Sequence, residues 1–341
     1  MMKIDAQFGS LYPHHAGERA RRLEAMGFDA AWSFEAGHDP FLPLLAAALA
    51  TERLHLGTNI AVAFGRSPFA TAQSAWDLQA ASGGRFHLGL GTQVRAHVER
   101  RYSMPFEHPA ARVTDYVRCL RAIWENFQTG AKPNYDGPFY QFSLTNDAFI
   151  PGAIEHPEIP VYLAGVNPRM CRAAGEVADG FHVHPMHSPA YLREVVRPAI
   201  DEGAKHRGLG VDDMVLHASV FAVLGETPAE RGQEEERIRA QVAFYASTPS
   251  YRALLRHHGM EEAGRKLSQA MRAGEIDQMP AMVPDALLDE VAIASDHGGL
   301  GALLRQRYDG LVQRIAPYYP IPAEDTVEKW QQVVAGFGAA A

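Results

Sequence analysis

Residues 54–94 constrain the fold more than any other part of the chain, because they contain two apolar runs separated by one helical segment. The runs, residues 54–63 and 85–92, have the length and composition of buried strands. Between them, residues 68–81 are apolar at helical spacing and are followed by Ser-Gly-Gly, which ends a helix. Two strands joined by a crossover of this length run parallel. Both strands finish in small residues, which is where α/β proteins expose their backbone to ligands.

The same alternation of strand and helix continues along the chain. Further strands are predicted at residues 4–8, 28–34, 159–164, 180–184, 215–224 and 311–318, with a short strand-like piece at 291–295. Helices are predicted between them, and residues 110–129 have the clearest amphipathic pattern. Eight such units predict an α/β protein with a (β/α)₈ TIM barrel, formed by residues 1–341 as a single domain. A doubly wound open sheet is the alternative, but no dinucleotide-binding fingerprint is present.

Two segments interrupt the alternation. Residues 131–159 are rich in Pro, Gly and Asn, and loops of this length in compact domains usually have a function. Residues 226–290 contain successive helical segments without a strand, which predicts a helical insertion between strands seven and eight. We expect both insertions near the carboxyl-terminal end of the barrel strands (the barrel mouth). There, aromatic side chains would line or cover a substrate pocket; the candidates are Tyr135, Phe139, Tyr140 and Tyr245.

Composition narrows the class of protein. The formal net charge of −8 argues against nucleic acid as a partner. No uninterrupted apolar stretch reaches the length of a membrane span, so we expect no membrane partner. The two cysteines, Cys119 and Cys171, both lie in helical patterns, which argues against a disulfide framework. A cytoplasmic protein with a small-molecule substrate is the expectation.

Several motifs occur together at consistent spacing. They are Trp32-Ser33-Phe34-Glu35, His38-Asp39-Pro40-Phe41-Leu42-Pro43, the run from Leu56 to Val62, Ser67-Pro68, the run from Ser82 to Thr92, the run from Pro160 to Gly165, and the run from Glu176 to Gly180. With these motifs the chain resembles the luciferase-like flavin and deazaflavin oxidoreductases, specifically their coenzyme F420-dependent branch. The resemblance covers most of the chain. It implies a luciferase-like TIM barrel and an enzyme that transfers a hydride between F420 and an unidentified organic substrate.

The resemblance also implies where the cofactor binds. F420 is a deazaflavin with a phosphodiester and an anionic oligoglutamate tail, and such anions favour backbone N–H groups at helix N-termini. Two turns fit this role, Gly91-Thr92-Gln93 after strand four and Gly165-Val166-Asn167 after strand five. Both could equally be ordinary βα turns. The nearby cations Arg95, Arg100 and Arg101 could contact the tail, or could form a solvated helix face.

Further features of the resemblance concern the ring of the cofactor. A bulge with a non-prolyl cis peptide, expected at Asn59-Ile60, would support the back of the ring. Relatives place a histidine or an acid from the loop after strand two over the ring. His38 and Glu35 are therefore the predicted catalytic residues, because either can supply the proton that accompanies hydride transfer. Asp39 is predicted at the substrate pocket, although Asp-Pro also commonly begins a helix.

The chain contains 16 histidines, and two of them end strand six. Alternation along a strand puts His182 and His184 on the same face. No third ligand at zinc spacing follows, and the resembling family uses no metal, so no metal site is predicted. We expect His182 and His184 to face the substrate pocket, with solvated or core histidines as the alternative.

Departures from the family pattern leave alternatives open. Gln93 stands where sugar-phosphate dehydrogenases of this branch have an acid, which argues against glucose 6-phosphate as substrate. Residues 295–299 differ from the usual start of the last helix, so this segment could pack differently. An FMN-dependent luciferase-like monooxygenase and a non-catalytic cofactor-binding barrel are the main alternatives, and a metal-dependent hydrolase is the weakest. Because relatives often dimerise, we expect a homodimer.

Overall fold

Parallel strands form a closed barrel in the computed structural model, which describes residues 2–340. The strands are β1 (Lys3–Ile4), β2 (Ala6–Gln7), β3 (Ala30–Ser33), β4 (His55–Thr58), β5 (Ala61–Val62), β6 (Phe86–Gly91), β7 (Tyr135–Asp136), β8 (Gln141–Phe142), β9 (Val161–Gly165), β10 (Gly180–Val183), β11 (Val215–Leu224), β12 (Ala292–Ser295) and β13 (Arg314–Pro317). Around the barrel the order is β1-β13-β11-β10-β9-β6-β4-β3-β2, and neighbouring strands in it are parallel.

Helices surround the barrel. They are α1 (Pro13–Met26), α2 (Leu42–Ala48), α3 (Pro68–Ser82), α4 (Arg95–Arg100), α5 (Pro109–Thr129), α6 (Pro168–Val177), α7 (Pro189–Tyr191), α8 (Arg197–Ala204), α9 (Pro228–Ser247), α10 (Arg252–His257), α11 (Glu261–Ala273), α12 (Asp285–Val291), α13 (His297–Tyr308) and α14 (Val327–Ala339). Several begin with a proline that follows a capping Ser, Thr or Asn, as α3, α6 and α9 do. This combination satisfies free amides of the first turn and presets its backbone.

The first strand closes the barrel. Its β1 half pairs with β13 and its β2 half pairs with β3, with Asp5 between the two halves. The Asp5 amide donates to the Ile315 carbonyl at 2.8 Å, so the chain continues from one neighbour to the other without a gap. This closure confirms the predicted (β/α)₈ barrel and excludes the open doubly wound sheet.

The third strand is interrupted where the sequence shows one continuous run. β4 pairs with β3 and β6, while β5 pairs with β6 alone. The peptide bond between them, Asn59-Ile60, is cis. This is the position at which the family resemblance implies a bulge.

The last part of the barrel differs in detail from the prediction. The first half of β11 pairs with β13, and its second half pairs with β12. Helices α9 to α12 lie between β11 and β12 in the chain. The predicted eighth strand, residues 311–318, is shorter because the Leu311 amide still bonds to the Tyr308 carbonyl at the end of α13. Helix α13 begins at His297 because Asp296 caps it, accepting from the Gly299 amide at 2.8 Å.

The segment 131–159 packs on the outside of the barrel helices. Its β7–β8 hairpin surrounds Asp115 of α5, which accepts hydrogen bonds from the Tyr135 hydroxyl and from the amides of Phe139 and Tyr140. These aromatics are therefore engaged with an outer helix. Of the predicted pocket-lining aromatics, Tyr245 is the one that contacts a residue at the end of a barrel strand, as described below.

The interior of the barrel contains a buried polar layer. Asp5 accepts from the Arg314 guanidinium at 2.7 and 2.8 Å and from the Trp32 indole at 2.9 Å. The buried charges of Asp5 and Arg314 therefore pair with each other, which offsets the cost of removing them from water. Within residues 2–340, no helix combines the length and apolar character needed to cross a bilayer.

Candidate active site

Glu35 connects the loop after β3 to the loop after β5. One oxygen of its carboxylate accepts from the Arg66 guanidinium at 2.6 Å and from the Val62 amide at 2.7 Å. The other oxygen accepts from the Tyr102 hydroxyl at 2.9 Å, and the side chain is only 8% exposed. Burial and the contact with Glu35 raise the pKa of Tyr102 to about 12. Both carboxylate oxygens are thus occupied by donors from the protein, which favours a positioning role for Glu35 over proton donation.

Asp39 supports the turn that leads into α2. One carboxylate oxygen accepts from the amides of Phe41 and Leu42, at 2.8 and 3.1 Å. The other oxygen accepts from Arg66 at 2.8 Å. Asp-Pro is therefore not the start of the helix, which begins at Leu42 with Phe41 as its N-cap. Asp39 instead supports the turn before the helix and forms an ion pair with the same arginine that binds Glu35.

His38 lies between these two anchored carboxylates. Its amide donates to the Ser10 hydroxyl at 3.2 Å, and its half-buried imidazole packs against the Tyr12 ring with 4.3 Å between the ring centres. Among residues 2–340 no hydrogen bond engages its ring nitrogens. His38 is therefore the member of the predicted catalytic pair whose side chain is available for proton transfer.

Asn59 and Ile60 form a half-exposed surface where several strands meet. The Asn59 side chain donates to the Ser219 hydroxyl of β11 at 3.4 Å, and the same hydroxyl accepts from Gln7 at 3.1 Å. Ile60 accepts a hydrogen bond from the Glu35 amide at 3.1 Å, which ties this surface to the loop that carries His38. The Ile60 side chain packs on Gly91, where an added Cβ would lie 2.8 Å from its Cδ1. Any residue larger than glycine would therefore displace Ile60.

The turn after β6 has a defined backbone shape. Gln93 has a φ of +56°, and its side-chain oxygen lies 3.1 Å from Nδ1 of His97. The Thr92 hydroxyl donates to the Gln93 carbonyl at 3.2 Å. The side chains of Thr92 and Gln93 therefore make their hydrogen bonds within residues 92–97.

Three arginines lie on or next to α4, beyond this turn. Arg95 pairs with Glu99 at 2.7 Å and lies over the Phe106 ring. Arg100 and Arg101 are exposed and make no ion pair among residues 2–340. Of the predicted tail-binding cations, these two are free to meet an anion.

The turn after β9 leads into a capped helix. Asn167 is the N-cap of α6, and its side chain accepts from the Met170 amide at 3.1 Å. Gly165 is needed because a Cβ there would come within 2.6 Å of Met170 Cβ. Val166 is half-exposed between them. The three predicted residues therefore build the N-terminus of a ten-residue helix.

His182 lies deeper than predicted. It is 1% exposed, with its Nδ1 3.1 Å from Nδ1 of His217 and its ring stacked on Tyr162 at 5.0 Å between ring centres. Burial and the neighbouring His217 hold its pKa well below the ordinary value. The side chain belongs to the buried interior of the barrel, so the prediction that it faces the substrate pocket is not supported by its position.

His184, two residues further, lies beyond the end of β10. Its Nδ1 accepts from the Met186 amide at 3.1 Å, so its Nε2 carries the proton and donates to the Tyr251 hydroxyl at 2.9 Å. Burial and the neighbouring His187 lower the pKa of His184 to about 3. The imidazole is neutral near pH 7 and leaves the Tyr251 hydroxyl proton free to bind another group.

A cluster of aromatic side chains extends from His184 to the ends of the seventh and eighth barrel strands, β11 and β13. The Tyr245 hydroxyl of α9 lies 2.7 Å from that of Tyr318, which follows β13. Phe221 of β11 packs against Tyr318, and Tyr245 packs against His184. Tyr251, Tyr318 and Ser219 were not predicted as site residues from the sequence. Tyr318 could have been found, because it is the last residue of the predicted strand 311–318, and ligand-binding residues collect at the ends of barrel strands.

A cavity of about 220 Å³ lies beside this cluster, between the ends of β11 and β13 and the first turns of α9, α13 and α14. Several of its charged side chains are paired, Arg237 with Glu234 at 3.5 Å and Lys329 with Asp325 at 3.9 Å. Nδ1 of His297 lies 2.5 Å from Glu226, and Asp325 accepts from the Trp330 indole at 2.9 Å. Neither here nor elsewhere in the part of the chain that the structure describes do three His, Cys, Asp or Glu side chains converge as a metal site requires.

Comparison with known proteins agrees with this architecture. The family model described as luciferase-like monooxygenase matches residues 5–314. An uncharacterised protein of Mycobacterium tuberculosis, Rv1360, is 41% identical over 312 residues, covering 92% of each chain. A putative coenzyme F420-dependent oxidoreductase of the same organism, Rv3520c, is 28% identical over 312 residues, covering 86% of this chain and 88% of the relative.

A solved structure shows the same fold. The coenzyme F420-dependent tetrahydromethanopterin reductase from Methanopyrus kandleri superposes with a TM-score of 0.79 at 22% identity, covering 97% of both chains. At this identity the likeness establishes the fold alone. The family model spans most of the chain, and the relative with 41% identity spans nearly all of it. The chain therefore belongs to the luciferase-like monooxygenase family.

Proposed function

We propose that this protein is an F420-dependent oxidoreductase that transfers a hydride between the deazaflavin and a small organic substrate at the barrel mouth. The observation that carries the proposal is the hydrogen bond from the Glu35 amide to the Ile60 carbonyl. It joins the loop of an available imidazole, His38, to the half-exposed surface at Asn59-Ile60. The F420-dependent relative Rv3520c supports the choice of cofactor.

The residues at the mouth fit a planar ring with an anionic tail. Ile60, held in place over Gly91, offers an apolar side chain to one face of a ring. The turns Gly91-Thr92-Gln93 and Gly165-Val166-Asn167 would hold the phosphodiester, the second of them at a helix N-terminus. Arg100 and Arg101, with Arg95 once released from Glu99, would bind the tail carboxylates. When bound, the deazaflavin supplies the hydride chemistry.

The side chains of the protein would hold the substrate and the proton. His38 would donate or accept the proton that accompanies hydride transfer, because imidazole exchanges protons near neutral pH. Glu35 and Asp39 would hold the loop of His38 in place. Tyr251, whose hydroxyl proton is left free by His184, would donate to an oxygen of the substrate. Helix α9, through Tyr245, would cover this side of the mouth and exclude water.

The deciding experiment is a fluorescence titration of cofactor-free protein with F420 and, separately, with FMN. We expect F420 to bind at least about tenfold more tightly. Replacing Arg100 and Arg101 with Ala should weaken F420 binding about tenfold and leave FMN binding unchanged, since FMN lacks the tail. Arg272→Ala, an exposed arginine on α11, is the matched control and should change neither. Preferential binding of FMN would instead support the FMN-dependent monooxygenase.

We also propose that the protein forms a homodimer through α2. Leu42, Leu45 and Leu49 repeat at helical spacing on or at the end of this helix, and they are 58%, 40% and 74% exposed. Three exposed leucines in one stripe mark an interaction surface. A two-fold axis would let the same stripe on two copies cover each other.

A further inference from the structure

We propose that Arg66 is a positioning residue that fixes the orientation of His38. The inference gains its catalytic meaning from the proposed function, but the contacts are independent of it. Arg66 donates to Glu35 at 2.6 Å and to Asp39 at 2.8 Å, and its guanidinium lies 5.4 Å from the centre of the Phe41 ring. These contacts lie on both sides of His38 in the chain. The side chain of Arg66, which comes from a different βα unit, therefore holds both ends of the loop that carries His38.

Arginine is suited to this task because of its shape. The two terminal NH₂ groups of the planar guanidinium bind two separate carboxylates at once, whereas a lysine ammonium is a single point of charge. The Arg66 side chain is 22% exposed, so its ion pairs are less screened than those on an open surface. Burial alone would lower the pKa of Arg66, but Glu35 and Asp39 outweigh it and raise the pKa above the ordinary value. The charge is therefore permanent.

The backbone around Arg66 is itself held in place by several contacts. The Arg66 amide donates to the Ala63 carbonyl at 3.2 Å, which closes the turn after β5. Gly65 lies against the Tyr102 ring, where an added Cβ would come within 2.7 Å of Cδ1. The Tyr102 hydroxyl in turn donates to Glu35. The loop after β5, the segment after α4 that carries Tyr102, and the loop of His38 are thus held together by these contacts.

His38 has few contacts of its own that could fix it. Its backbone amide donates a hydrogen bond to Ser10, and among residues 2–340 its imidazole makes no hydrogen bond and one aromatic contact, with Tyr12. Tyr12 is itself 58% exposed, so it is a weak support. The backbone of the loop sets the direction of the Cα–Cβ bond of His38, and Arg66 holds that backbone through Glu35 and Asp39.

The test measures the reactivity of His38 toward diethyl pyrocarbonate in cofactor-free protein, followed by mass spectrometry of the peptide that contains it. In Arg66→Gln we expect His38 to react at least about fivefold faster than in the wild type, because the loop is no longer clamped. Arg66→Lys should give an intermediate rate, since lysine can hold only one of the carboxylates. If Arg66→Gln does not fold, Asp39→Asn, which removes one anchor, should still raise the rate.

The matched control is Arg85→Gln. Arg85 lies in the same βα unit, but it donates to the carbonyls of Ala48, Thr51 and Leu54 at the other end of the third strand. This variant should lose stability without changing the reactivity of His38. Equal His38 rates in the wild type and Arg66→Gln, or an equal rise in Arg85→Gln, would overturn the inference.

A titration with F420 separates this inference from the proposed function. We expect Arg66→Gln to bind F420 about tenfold more weakly than the wild type, with Arg85→Gln unchanged. If wild-type protein binds no F420 while the His38 rates differ as stated, the proposed function fails and the role of Arg66 stands. If F420 binds but the His38 rates do not differ, the inference about Arg66 fails alone.

Discussion

The side chain of Asn59 donates a hydrogen bond across the barrel to the hydroxyl of Ser219, with 3.4 Å between Nδ2 and Oγ. This contact joins the third strand to the seventh directly beneath the surface proposed for the deazaflavin ring. Because the same hydroxyl accepts from Gln7, three strands share one hydrogen-bonding centre. The orientation of Asn59 therefore depends on a residue 160 positions further along the chain.

Replacing Ser219 with Ala should release the Asn59 amide. We expect a loss of about 1 kcal/mol in the free energy of unfolding, since a buried hydrogen-bonding centre is removed. The dissociation constant for F420 should rise about threefold to fivefold. Ser247→Ala is the control, because Ser247 is also buried but bonds within α9, to the Phe244 carbonyl. An equal change in F420 binding by both variants would refute the role of Ser219.

Replacing Glu35 with Gln should destabilise the protein. In glutamine one carboxylate oxygen is replaced by an NH₂ group, which donates and cannot accept. Either Tyr102, or both Arg66 and Val62, would then lose their acceptor. We expect the free energy of unfolding to fall by about 1–3 kcal/mol in chemical denaturation. Glu236→Gln, an exposed residue of α9, should be neutral. A stable Glu35→Gln protein that has lost turnover would instead assign proton transfer to Glu35.

The stability of the protein should fall in acid because several histidines are buried in their neutral form. Burial, with Arg314 nearby, lowers the pKa of His217 to about 3, and burial lowers that of His187 to about 4. Unfolded histidine has a pKa of about 6.5. The unfolded chain therefore takes up protons first, so this stability is complete above about pH 6.5 and is lost as the pH falls toward 4 and 3. Each such group contributes up to about 1.4 kcal/mol per pH unit in that range.

Urea unfolding between pH 7.5 and pH 5 measures this dependence. His217→Gln should reduce the slope of stability against pH by about one proton. His206→Gln, an exposed histidine after α8, should leave the slope unchanged. Stability that is constant over this range would contradict the burial of these imidazoles.

If the protein forms the proposed dimer, introducing charged residues into the leucine stripe of α2 should lower its molecular mass in solution. Leu45→Glu combined with Leu49→Glu places two carboxylates in the apolar stripe of α2 and should convert the dimer to monomers in light scattering after gel filtration. Leu144→Glu, at a leucine that is 87% exposed in the segment 131–159, should leave the mass unchanged. A wild-type protein that is monomeric at micromolar concentration would exclude this interface.

Local pattern in the sequence was enough to predict the barrel, because each strand and each helix stop is encoded by neighbouring residues. The break at Asn59-Ile60 was placed correctly through the family resemblance. The depth of His182 was not predictable, because alternation along a strand fixes the face of a side chain but not the layer it reaches. The same alternation put His182 and His184 on one face, although one is buried in the interior and the other contacts Tyr251.

The residues that contact Glu35 could not be predicted from local sequence pattern either. Arg66 and Tyr102 lie 31 and 67 positions away in the chain, and only the closed barrel brings them to the same carboxylate. For the same reason the sequence could not separate Glu35 from His38 as proton donors. The choice between them depends on which side chain is already occupied by donors, and that is a property of the folded structure.

The crystal structure of the protein with bound F420 tests the central claim most directly. We predict that the deazaflavin ring lies against Asn59-Ile60 with the imidazole of His38 at its edge, and that the tail runs toward Arg100 and Arg101. A complex in which F420 binds elsewhere, or a mouth filled by a different prosthetic group, would contradict it.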